Sequence, residues 1–552
     1  MKKITVKAIA AFLSLIILVS CLASCSFPKL ELPDFVEDII NKTPLGDLVA
    51  PLLSENTLYK ENAYMVYQDS NGYSHIIVNG KELDRSFDGE IELIPAKDNS
   101  FAYVFDDEPN DIYMYIVKDT KIEQVSDRPA SDIIAYAGLE PGIVFVDTTD
   151  GGTTGYYLYN ERVGTKSCAK VTQNPDHFII SDDAETVVYT TKKDDTADRI
   201  LTLYKDEQTK TISTTGAIPV AVSMDGRYIY NIHTDAEEGT MLYVFDTEKD
   251  KSYSVPYSRN FLCIVDMNVK GDEVLFCTGT GLAEEALATL NGVIHSGKYS
   301  DVKTSLYKHD DSNERRTTLI GNNVIGLANM DENVVAYKTF LDKYFTTKLP
   351  SGNVQGDDIY TYHLSDKYKV TKICSTTADI EGQFSPDGKY FYFVNDNMEL
   401  KQVNLKKRTV KNIYDGSAVG NFAVTEKGNL FIFDSGDKSL YYYNVSTQKC
   451  PRYNHEVEDI FFHSVTNKLY FTSADSESTY VAEEGEKESI AEIDNNAITG
   501  MPYFSNNPGS KYYVAYLNNK IDAVEIYYTE NGKKYDKLDV DIQELLYYPL
   551  EY

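Results

Sequence analysis

The chain has 552 residues, too many for one ordinary globular domain, and 42% of them are hydrophobic, enough to form a core. Its 53 basic and 85 acidic residues give a formal net charge of −32. A field of that sign repels nucleic acids and anionic lipid headgroups, which argues against both as ligands and leaves basic partners or loosely held cations. The 44 tyrosines, with no tryptophan, favour β-strands, where a tyrosine ring packs while its hydroxyl reaches water.

The N-terminus has the layout of a bacterial export signal. Three lysines in the first seven residues precede an apolar run over residues 8–19. A run of about a dozen apolar residues is too short to span a membrane but suits the hydrophobic part of a signal peptide. No later apolar stretch reaches the roughly 18 residues of a membrane span, so the sequence predicts a protein that is anchored to a membrane without crossing it.

Two overlapping segments, residues 18–21 and 22–25, read Leu-Val-Ser-Cys and Leu-Ala-Ser-Cys. Each resembles the lipobox of bacterial lipoproteins, in which a leucine and small residues precede the cysteine. By that resemblance, the cysteine thiol receives a diacylglycerol and the signal peptide is cut just before it. We predict lipid attachment at Cys25, with 1–24 as the signal peptide, and Cys21 is the alternative.

The residues around Cys25 favour it over Cys21. The alanine two positions before Cys25 and the serine after it are more typical of a lipobox than the valine and leucine around Cys21, although Cys21 itself lies unusually close upstream. An ordinary secretory signal that happens to contain two cysteines is the other interpretation. The predicted location is the extracytoplasmic side of the cell membrane, or the outer membrane in a cell that has two.

Five further cysteines are scattered along the chain, at positions 168, 263, 277, 374 and 450. Their odd number and wide spacing do not suggest a disulfide framework, and no Cys-x-x-Cys occurs. Cys263 and Cys277 flank a predicted hairpin, which makes them the pair that can meet. We predict that all five are small, buried apolar residues.

Residues 25–57 differ in composition from the rest of the chain. Four prolines punctuate two short apolar segments, at 34–41 and 45–53. We predict a tether with one or two short helices that dock on the main body. The alternative is a flexible stalk that lifts the main body off the membrane.

From about residue 58 the sequence alternates between apolar and polar residues and is broken by turn-forming clusters about every 8 to 12 residues. This pattern predicts many short antiparallel strands. The clearest unit spans Asp379–Tyr414 and contains four predicted strands. The turn Pro386-Asp387-Gly388 joins the first two, since a tight hairpin needs a positive φ that glycine adopts without strain.

The unit recurs with a period of roughly 40 to 50 residues, which is typical of the blades of a β-propeller. Related turns occur at 223–228 and 425–429, with degenerate copies at 181–184 and 270–272. We predict about eleven four-stranded units, which begin near residues 62, 92, 132, 177, 218, 261, 324, 379, 418, 457 and 498.

The segment Ser385–Phe393 is similar to the repeat of TolB-type, WD-like β-propellers, which reads Ser-Pro-Asp-Gly-Lys followed by alternating apolar residues. Ser223–Tyr230 is a second good match, and degenerate forms extend the resemblance over most of 58–552. The resemblance implies an all-β fold of four-stranded antiparallel blades. It says little about function, because such propellers serve as peptidase gates, periplasmic scaffolds and ligand binders.

Eleven blades exceed the roughly four to eight that one propeller ring commonly holds. We therefore predict two propellers in tandem, over 58–257 and 258–552, with a break near Pro256–Asn260. One larger ring is the alternative.

Two predicted insertions interrupt the second group of blades, near 279–302 and 339–356. The first follows a predicted strand at 274–277, and the second follows a predicted strand at 334–338. Both fall between the second and third strands of neighbouring blades, so we expect them side by side on one face. Loops on a rigid scaffold are common binding sites, and an insertion that merely decorates the surface is the alternative.

A search for catalytic and metal-binding motifs finds none. The sequence has no His-Glu-x-x-His, Gly-x-Ser-x-Gly or P-loop motif, and its eight histidines are well separated. Residues 69–72 and 147–151 resemble pieces of calcium loops but lack the full set of ligands, and we interpret them as turns. We therefore predict no catalytic residue, metal ligand or cofactor.

The sequence predicts a membrane-anchored lipoprotein whose propeller is a non-catalytic binding or scaffold module for a protein or peptide partner. The alternative is a polysaccharide-active enzyme, a glycosidase or lyase, that uses carboxylates in the propeller channel. Such an enzyme would need two carboxylates roughly 5 to 10 Å apart in a pocket. A solute-binding lipoprotein and a purely structural envelope protein are further interpretations.

Overall fold

The computed structural model describes residues 62–547, with gaps. The longest gaps are 161–168, 281–302, 329–343 and 351–359. The predicted signal peptide and tether, with Cys21 and Cys25, lie outside the described residues. The described residues belong to one compact unit, Lys60–Tyr552.

The described part of the chain contains 46 strands and no helix. In chain order, β1 to β15 are Tyr64–Gln68, Tyr73–Val78, Lys81–Asp88, Ile91–Pro95, Phe101–Glu108, Asp111–Lys118, Lys121–Gln124, Asp132–Tyr136, Gly142–Asp147, Gly155–Asn160, Ala169–Thr172, Pro175–Ile180, Thr186–Lys192, Arg199–Lys205 and Gln208–Ser213. Strands β16 to β31 are Ile218–Val222, Tyr228–Asp235, Gly239–Asp246, Lys251–Ser254, Phe261–Met267, Glu273–Thr280, Lys303–Asp310, Arg316–Asn322, Gly326–Ala328, Tyr344–Pro350, Tyr360–Asp366, Lys369–Thr376, Gly382–Phe384, Tyr390–Val394, Leu400–Asn404 and Thr409–Asn412. Strands β32 to β46 are Val419–Val424, Leu430–Asp434, Ser439–Tyr443, Arg452–Glu456, Ile460–His463, Lys468–Ser473, Ser476–Ala482, Ser489–Ile490, Glu492–Ile493, Asn496–Ala497, Tyr503–Phe504, Tyr512–Asn518, Ala523–Thr529, Asp536–Lys537 and Glu544–Tyr547.

These strands form eleven four-stranded antiparallel sheets in the part of the chain that the structure describes. Ten sheets take four consecutive strands each, from β4–β7 to β42–β45, and a small hairpin, β40–β41, precedes the last of them. Their first strands begin close to the predicted starting points. The predicted all-β fold of four-stranded propeller blades is confirmed. We number the sheets blades 1 to 11 in chain order.

Blade 1 is built from both ends of the described chain. Its strand order is β46–β1–β2–β3, so β46 holds the place that the first strand holds in the other blades. β46 runs antiparallel to β1, with Val66 opposite Tyr547 and Gln68 opposite Glu544. A C-terminal strand that completes an N-terminal blade closes a ring and leaves no open sheet edge there.

The core lies between neighbouring blades, as the burial of their strands shows. The second strands of blades are buried on both sides, and β9 accordingly reads Ile143-Val144-Phe145-Val146 without polar interruption. The fourth strands face solvent, and β31 reads Thr-Val-Lys-Asn with every residue exposed. Apolar runs therefore mark the middle of a blade and polar alternation marks its rim.

The hydrophobic core continues across the predicted break between residues 257 and 258. Tyr230 and Val244 of blade 5 share one buried cluster with Val274 and Phe276 of blade 6. Clusters of the same kind join blades 1 to 5 in order, blades 8 to 11 in order, and blade 11 to blade 1. The predicted break near Pro256–Asn260 therefore does not coincide with a gap in the core between blades 5 and 6, and the division into one ring or two stays a prediction.

Blade 7 differs from the prediction for this region. A strand, β25 at Tyr344–Pro350, lies inside the second predicted insertion and pairs with β26. The predicted strand at 334–338 falls outside the described residues. The aromatic and β-branched residues at 344–347 favour a strand, so the connection between the second and third strands of blade 7 is limited to 351–359. In blade 6 the second strand ends at Thr280 and the third begins at Lys303, on either side of the first predicted insertion.

Because the strands of each blade are antiparallel, every connection between strands starts and ends at one of two opposite faces. Connections from first to second strand and from third to fourth strand lie at one edge of each sheet. We call this edge of the propeller the turn face. Connections from second to third strand, and those from a fourth strand to the next blade, lie at the opposite edge, which we call the loop face. The strand ends on either side of 281–302 and of 351–359 lie at the loop face.

Candidate functional site

The turn face is built from the repeated Ser–Asp–Gly turn. In blade 8 the Ser385 hydroxyl donates to Asp387 Oδ1 at 2.7 Å, and the Tyr390 amide donates back to Ser385 Oγ at 2.9 Å. Gly388 takes the positive φ of 61° that the tight turn requires. These contacts confirm that the Asp-Gly pair forms a hairpin turn.

The same hydrogen bonds recur in blades 4 and 5. The hydroxyl of Ser223 donates to Asp225 Oδ1 at 2.7 Å, and the Tyr228 amide donates to Ser223 Oγ at 2.9 Å. In blade 4, Ser181 and Asp183 make the equivalent contact, but Ala184 occupies the glycine position with a φ of 58°. The turn geometry therefore survives where the motif has lost its glycine.

Neighbouring turns touch one another directly. A Cβ added to Gly226 of blade 5 would lie 2.0 Å from Thr186 Oγ1 of blade 4, and one added to Gly271 of blade 6 would lie 2.2 Å from Ser223 Cβ. The Asp183 amide also donates to the Met224 carbonyl at 3.1 Å. The glycines thus serve a second purpose beyond the turn, because they let successive blades approach closely.

Acidic residues of the turn face have cationic partners. The Lys249 ammonium lies 2.8 Å from the fully buried carboxylate of Asp246, and Lys427 lies 2.8 Å from Glu484. Burial alone would raise the pKa of Asp246, but hydrogen bonds and charge from Lys249 outweigh it and lower the pKa. Lys97 of blade 2 pairs with Asp182 of blade 4 at 2.5 Å. The charges of this face therefore help to hold blades and turns together.

The segments that connect the strands differ sharply in their charge. Those that join strands at the turn face contain 25 acidic and 20 basic residues, a net charge of −5, whereas those that join strands at the loop face contain 28 acidic and six basic residues, a net charge of −22. The sequence therefore places most of the chain's net negative charge in the segments that join strands at the loop face.

Exposed apolar side chains are concentrated on the same face. Nine large hydrophobic residues of the described chain are exposed, and six of them lie in loop-face connections or at the strand ends beside them. These six are Tyr73, Tyr257, Met398, Ile490, Tyr503 and Val524. Tyr257 is the most exposed, at 70%, and its ring stacks on Tyr307 with centroids 6.0 Å apart. Exposed aromatics within an acidic surface are a combination that suits basic ligands.

Not every carboxylate of the loop face is free to act on a ligand. Asp434, at the loop-face end of β33, is almost fully buried. It accepts hydrogen bonds from the Tyr414 hydroxyl at 2.8 Å, the Ser417 hydroxyl at 2.7 Å and the Gly436 amide at 2.9 Å. Burial alone would raise its pKa, but these donors lower it. Asp434 therefore ties two loop-face connections together.

Asp69, which the sequence placed in a calcium-like fragment, forms a turn as interpreted. Its Oδ1 accepts the Asn71 and Tyr73 amides, both at 2.9 Å, and Gly72 has a φ of 86°. The amide of Tyr73 contributes most to lowering the pKa of Asp69. His75 lies between Asp69 Oδ2, at 3.4 Å, and a carboxylate of β3. The second fragment, 147–151, lies mostly outside the described residues.

Within the described residues, no group of three or more His, Cys, Asp and Glu side chains is arranged to hold a metal ion. The same residues include no helix that is long and apolar enough to cross a membrane. His463 is deeply buried, and burial lowers its pKa to about 3, which suits a neutral core imidazole.

The structure describes only some of the sites predicted from the sequence. The proposed lipid sites, Cys25 and Cys21, lie outside the described residues. The strands that flank the first predicted insertion end at Thr280 and resume at Lys303, and both of these strand ends lie at the loop face. The charge asymmetry was missed from the sequence, because the acidic residues are scattered and only the strand order groups them.

Comparisons with known proteins find likeness of fold alone. No family model matches the chain, and no curated protein matches its sequence. The tricorn protease is 11% identical, with a TM-score of 0.25, over 87% of this chain and 62% of its own. A TolB from Agrobacterium tumefaciens is 13% identical, with a TM-score of 0.26, over 48% of this chain and 89% of its own.

A third solved structure is the β-propeller domain of the Trilobed protease from Pyrococcus furiosus. It is 12% identical to this chain, with a TM-score of 0.24, and the match covers 67% of this chain and 96% of the domain. The assignment to the β-propeller class rests on the blades described above and their turns. This chain is a β-propeller with eleven four-stranded blades in its described part.

Proposed function

We propose that this chain is a lipid-anchored, extracytoplasmic β-propeller that binds a basic protein or peptide on its loop face and catalyses no reaction itself. The observation that carries the proposal is the charge difference between the two sets of connecting segments in the sequence, −22 for those that join strands at the loop face against −5 for those that join strands at the turn face. Cys25 is the proposed lipid attachment site, and Cys21 is the alternative.

The physical basis is electrostatic attraction combined with aromatic contact. A face with one dominant sign of charge speeds the encounter with a partner of opposite charge and repels partners of like charge. Exposed tyrosines such as Tyr73, Tyr257 and Tyr503 offer ring faces to lysine and arginine side chains. Such cation–π contacts contribute about 0.5–1 kcal/mol each at exposed sites.

The turn face is a poor candidate for the same role. Its connections are closely packed from blade to blade, and its carboxylates and cations are nearly balanced in number. Binding there would have to break existing pairs such as Lys427–Glu484.

A binding titration tests the proposal. The purified chain is mixed with a fluorescent oligolysine peptide, and with an oligoglutamate peptide of equal length as the matched control. We expect oligolysine to bind and its affinity to rise at least about tenfold as salt falls from about 0.3 M to about 0.03 M, while oligoglutamate does not bind. Absent or salt-independent oligolysine binding would refute the proposal and direct attention to a polysaccharide-hydrolysis screen.

Lipid anchoring is tested separately by growing producing cells with an alkyne-labelled fatty acid. We expect the wild-type chain to carry the label, a Cys21→Ala variant to keep it, and a Cys25→Ala variant to lose it and leave the membrane fraction. The opposite pattern assigns the lipid to Cys21. A wild-type chain without label contradicts the anchor and leaves the binding result unaffected.

A further inference from the structure

Two cysteines face each other in blade 6. Cys263 lies on β20, and Cys277 lies directly opposite on β21, in an antiparallel register. Directly opposite residues of antiparallel strands have Cα atoms roughly 4.5–5.5 Å apart, and their side chains point to the same side of the sheet. A disulfide spans Cα distances of about 4.4–6.8 Å. Both thiols are free in this structure, so the pair is placed for a bond that it has not formed.

The two thiols differ in access and in acidity. Cys277 is fully buried, whereas Cys263 is half-buried. A hydrogen bond between them lowers the pKa of Cys263, against the effect of burial, and together with burial it raises the pKa of Cys277 well above its usual value. Cys450 differs from Cys263, because burial is the cause that shifts its pKa and raises it to about 11. The more accessible thiol of the pair is thus the one that ionises more readily.

The backbone around the pair is irregular. The register of β20 against β21 shifts between Phe261 and Cys263 and again between Ile264 and Asp266. Cys263 therefore lies in a short stretch of regular pairing between two bulges, where few ladder bonds hold the strand in place. A covalent link at this position would fix the first strand of blade 6 against its neighbour.

We propose that Cys263 and Cys277 are a redox-active pair that closes to a cross-strand disulfide by exchange with an external disulfide. The Cys263 thiolate attacks one sulfur of the external disulfide and releases the first small thiol, which leaves a mixed disulfide on Cys263. Cys277 then loses its proton, attacks Cys263 Sγ and releases the second small thiol. Two protein thiols are oxidised to one disulfide, and one external disulfide is reduced to two thiols.

The pair lies beside the loop face. Cys277 is three residues before the end of β21 at Thr280, where the 281–302 connection begins. Closing the pair would therefore fix the end of β21 that lies at the loop face. This inference stands on the strand register and the burial of the thiols, and it holds whether or not the loop face binds a basic partner.

The test uses the purified, fully reduced chain in buffers with graded ratios of reduced to oxidised glutathione. Remaining thiols are alkylated, and the position of any bond is read from peptide masses. We expect an intramolecular Cys263–Cys277 bond, seen as a mass loss of about 2 Da in the linked peptides, that reverses on addition of reduced glutathione. A folded chain in which both thiols stay open to alkylation in the most oxidising buffer overturns the proposal.

Two variants separate the steps. We expect Cys277→Ser to leave Cys263 as a stable mixed disulfide with glutathione, because the resolving thiol is gone. We expect Cys450→Ser, which removes a cysteine remote from the pair, to leave closure unchanged. A Cys277→Ser chain that takes up no glutathione at Cys263, or a wild-type chain that links either cysteine to Cys450 instead, contradicts the assignment of attacking and resolving thiols.

Discussion

The turn face and the loop face are made by the same strands and yet differ in nearly every property of their connections. On the turn face, Ser–Asp–Gly turns repeat the same hydrogen bonds and touch the turns of the next blade. In the segments that join strands at the loop face, acidic residues outnumber basic ones by 28 to six, and six exposed apolar side chains of the described residues lie in these segments or at the strand ends beside them. One edge of each blade maintains the ring, which leaves the other edge available for recognition.

The contrast has a physical cause in the repeat itself. A repeated blade must meet its neighbour through a surface of constant shape, so the turns that make this contact are constrained to small residues and fixed hydrogen bonds. Connections that do not make the contact tolerate changes in length and charge. The segments that join strands at the loop face range from two residues at 474–475 to 22 residues at 281–302, and those at the turn face range from two residues at 79–80 to 15 residues at 329–343.

We expect the largest effect from a substitution that adds a methyl group between two closely packed turns, and this effect is a fall in the free energy of unfolding. Gly226→Ala would place a methyl group 2.0 Å from Thr186 Oγ1 at a φ of 69°. We expect the free energy of unfolding to fall by about 3 kcal/mol, from the positive φ and the clash together. Denaturant unfolding followed by far-UV circular dichroism measures the change.

Gly388→Ala is the matched control for that substitution. Gly388 has a similar φ of 61°, but nothing lies within 4 Å of the added methyl group. We expect a loss of about 1 kcal/mol, from the φ alone. Equal losses at the two positions would mean that contact between neighbouring turns contributes nothing, and the structural role assigned to the turn face would be wrong.

A second prediction concerns the buried carboxylate of the loop face. Asp434→Ala removes the acceptor shared by Tyr414, Ser417 and Gly436 and leaves these donors without it, so we expect a loss of about 2 kcal/mol in unfolding free energy. Glu458→Ala, at an exposed position of the next loop-face connection, is the control and should change stability by less than about 0.5 kcal/mol.

The effect of Asp434→Ala should also depend on pH. The folded pKa of Asp434 lies below its ordinary value of 3.8, so the carboxylate contributes stability above pH 3.8 and loses it as pH falls through the folded pKa. The difference in unfolding free energy between wild type and variant should therefore become smaller as the pH falls below 3.8. A difference in unfolding free energy that stays constant over this pH range would show that the ionised carboxylate is not what stabilises the two connections.

Much of the fold could be predicted from the sequence because its signals are local. The Asp-Gly turn and the apolar strand after it recur within a few residues, as at Asp387-Gly388 and Asp225-Gly226, so the starts of the blades could be located one by one. Ala184 shows the limit of that signal, since it adopts the turn without glycine. The strand at 344–350 was read as insertion because no such turn precedes it.

The candidate site was harder to predict, for a different reason. Residues such as Glu90, Asp127 and Asp459 lie far apart in sequence, and none forms a motif. They share a face only because of the antiparallel order of the strands in each blade. The choice between one ring and two likewise depends on the pairing of β46 with β1, which joins residues almost 500 positions apart and leaves no local pattern.

The most direct test of the account compares the two faces in one binding assay. Two variants each replace four exposed carboxylates by their amides, one on each face. The loop-face variant changes Glu90, Asp127, Glu458 and Asp459, and the turn-face variant changes Asp119, Glu207, Glu426 and Glu530. Both variants gain the same net charge, so any difference between them reports the position of the charge.

The measurement is the affinity of each variant for the oligolysine peptide at low salt. We predict that the loop-face variant binds about tenfold more weakly than wild type, at about 0.3 kcal/mol or more for each lost charge, and that the turn-face variant stays within about twofold. Equal weakening in both variants would show that the peptide senses only the total charge of the chain. That result would contradict the assignment of binding to the loop face.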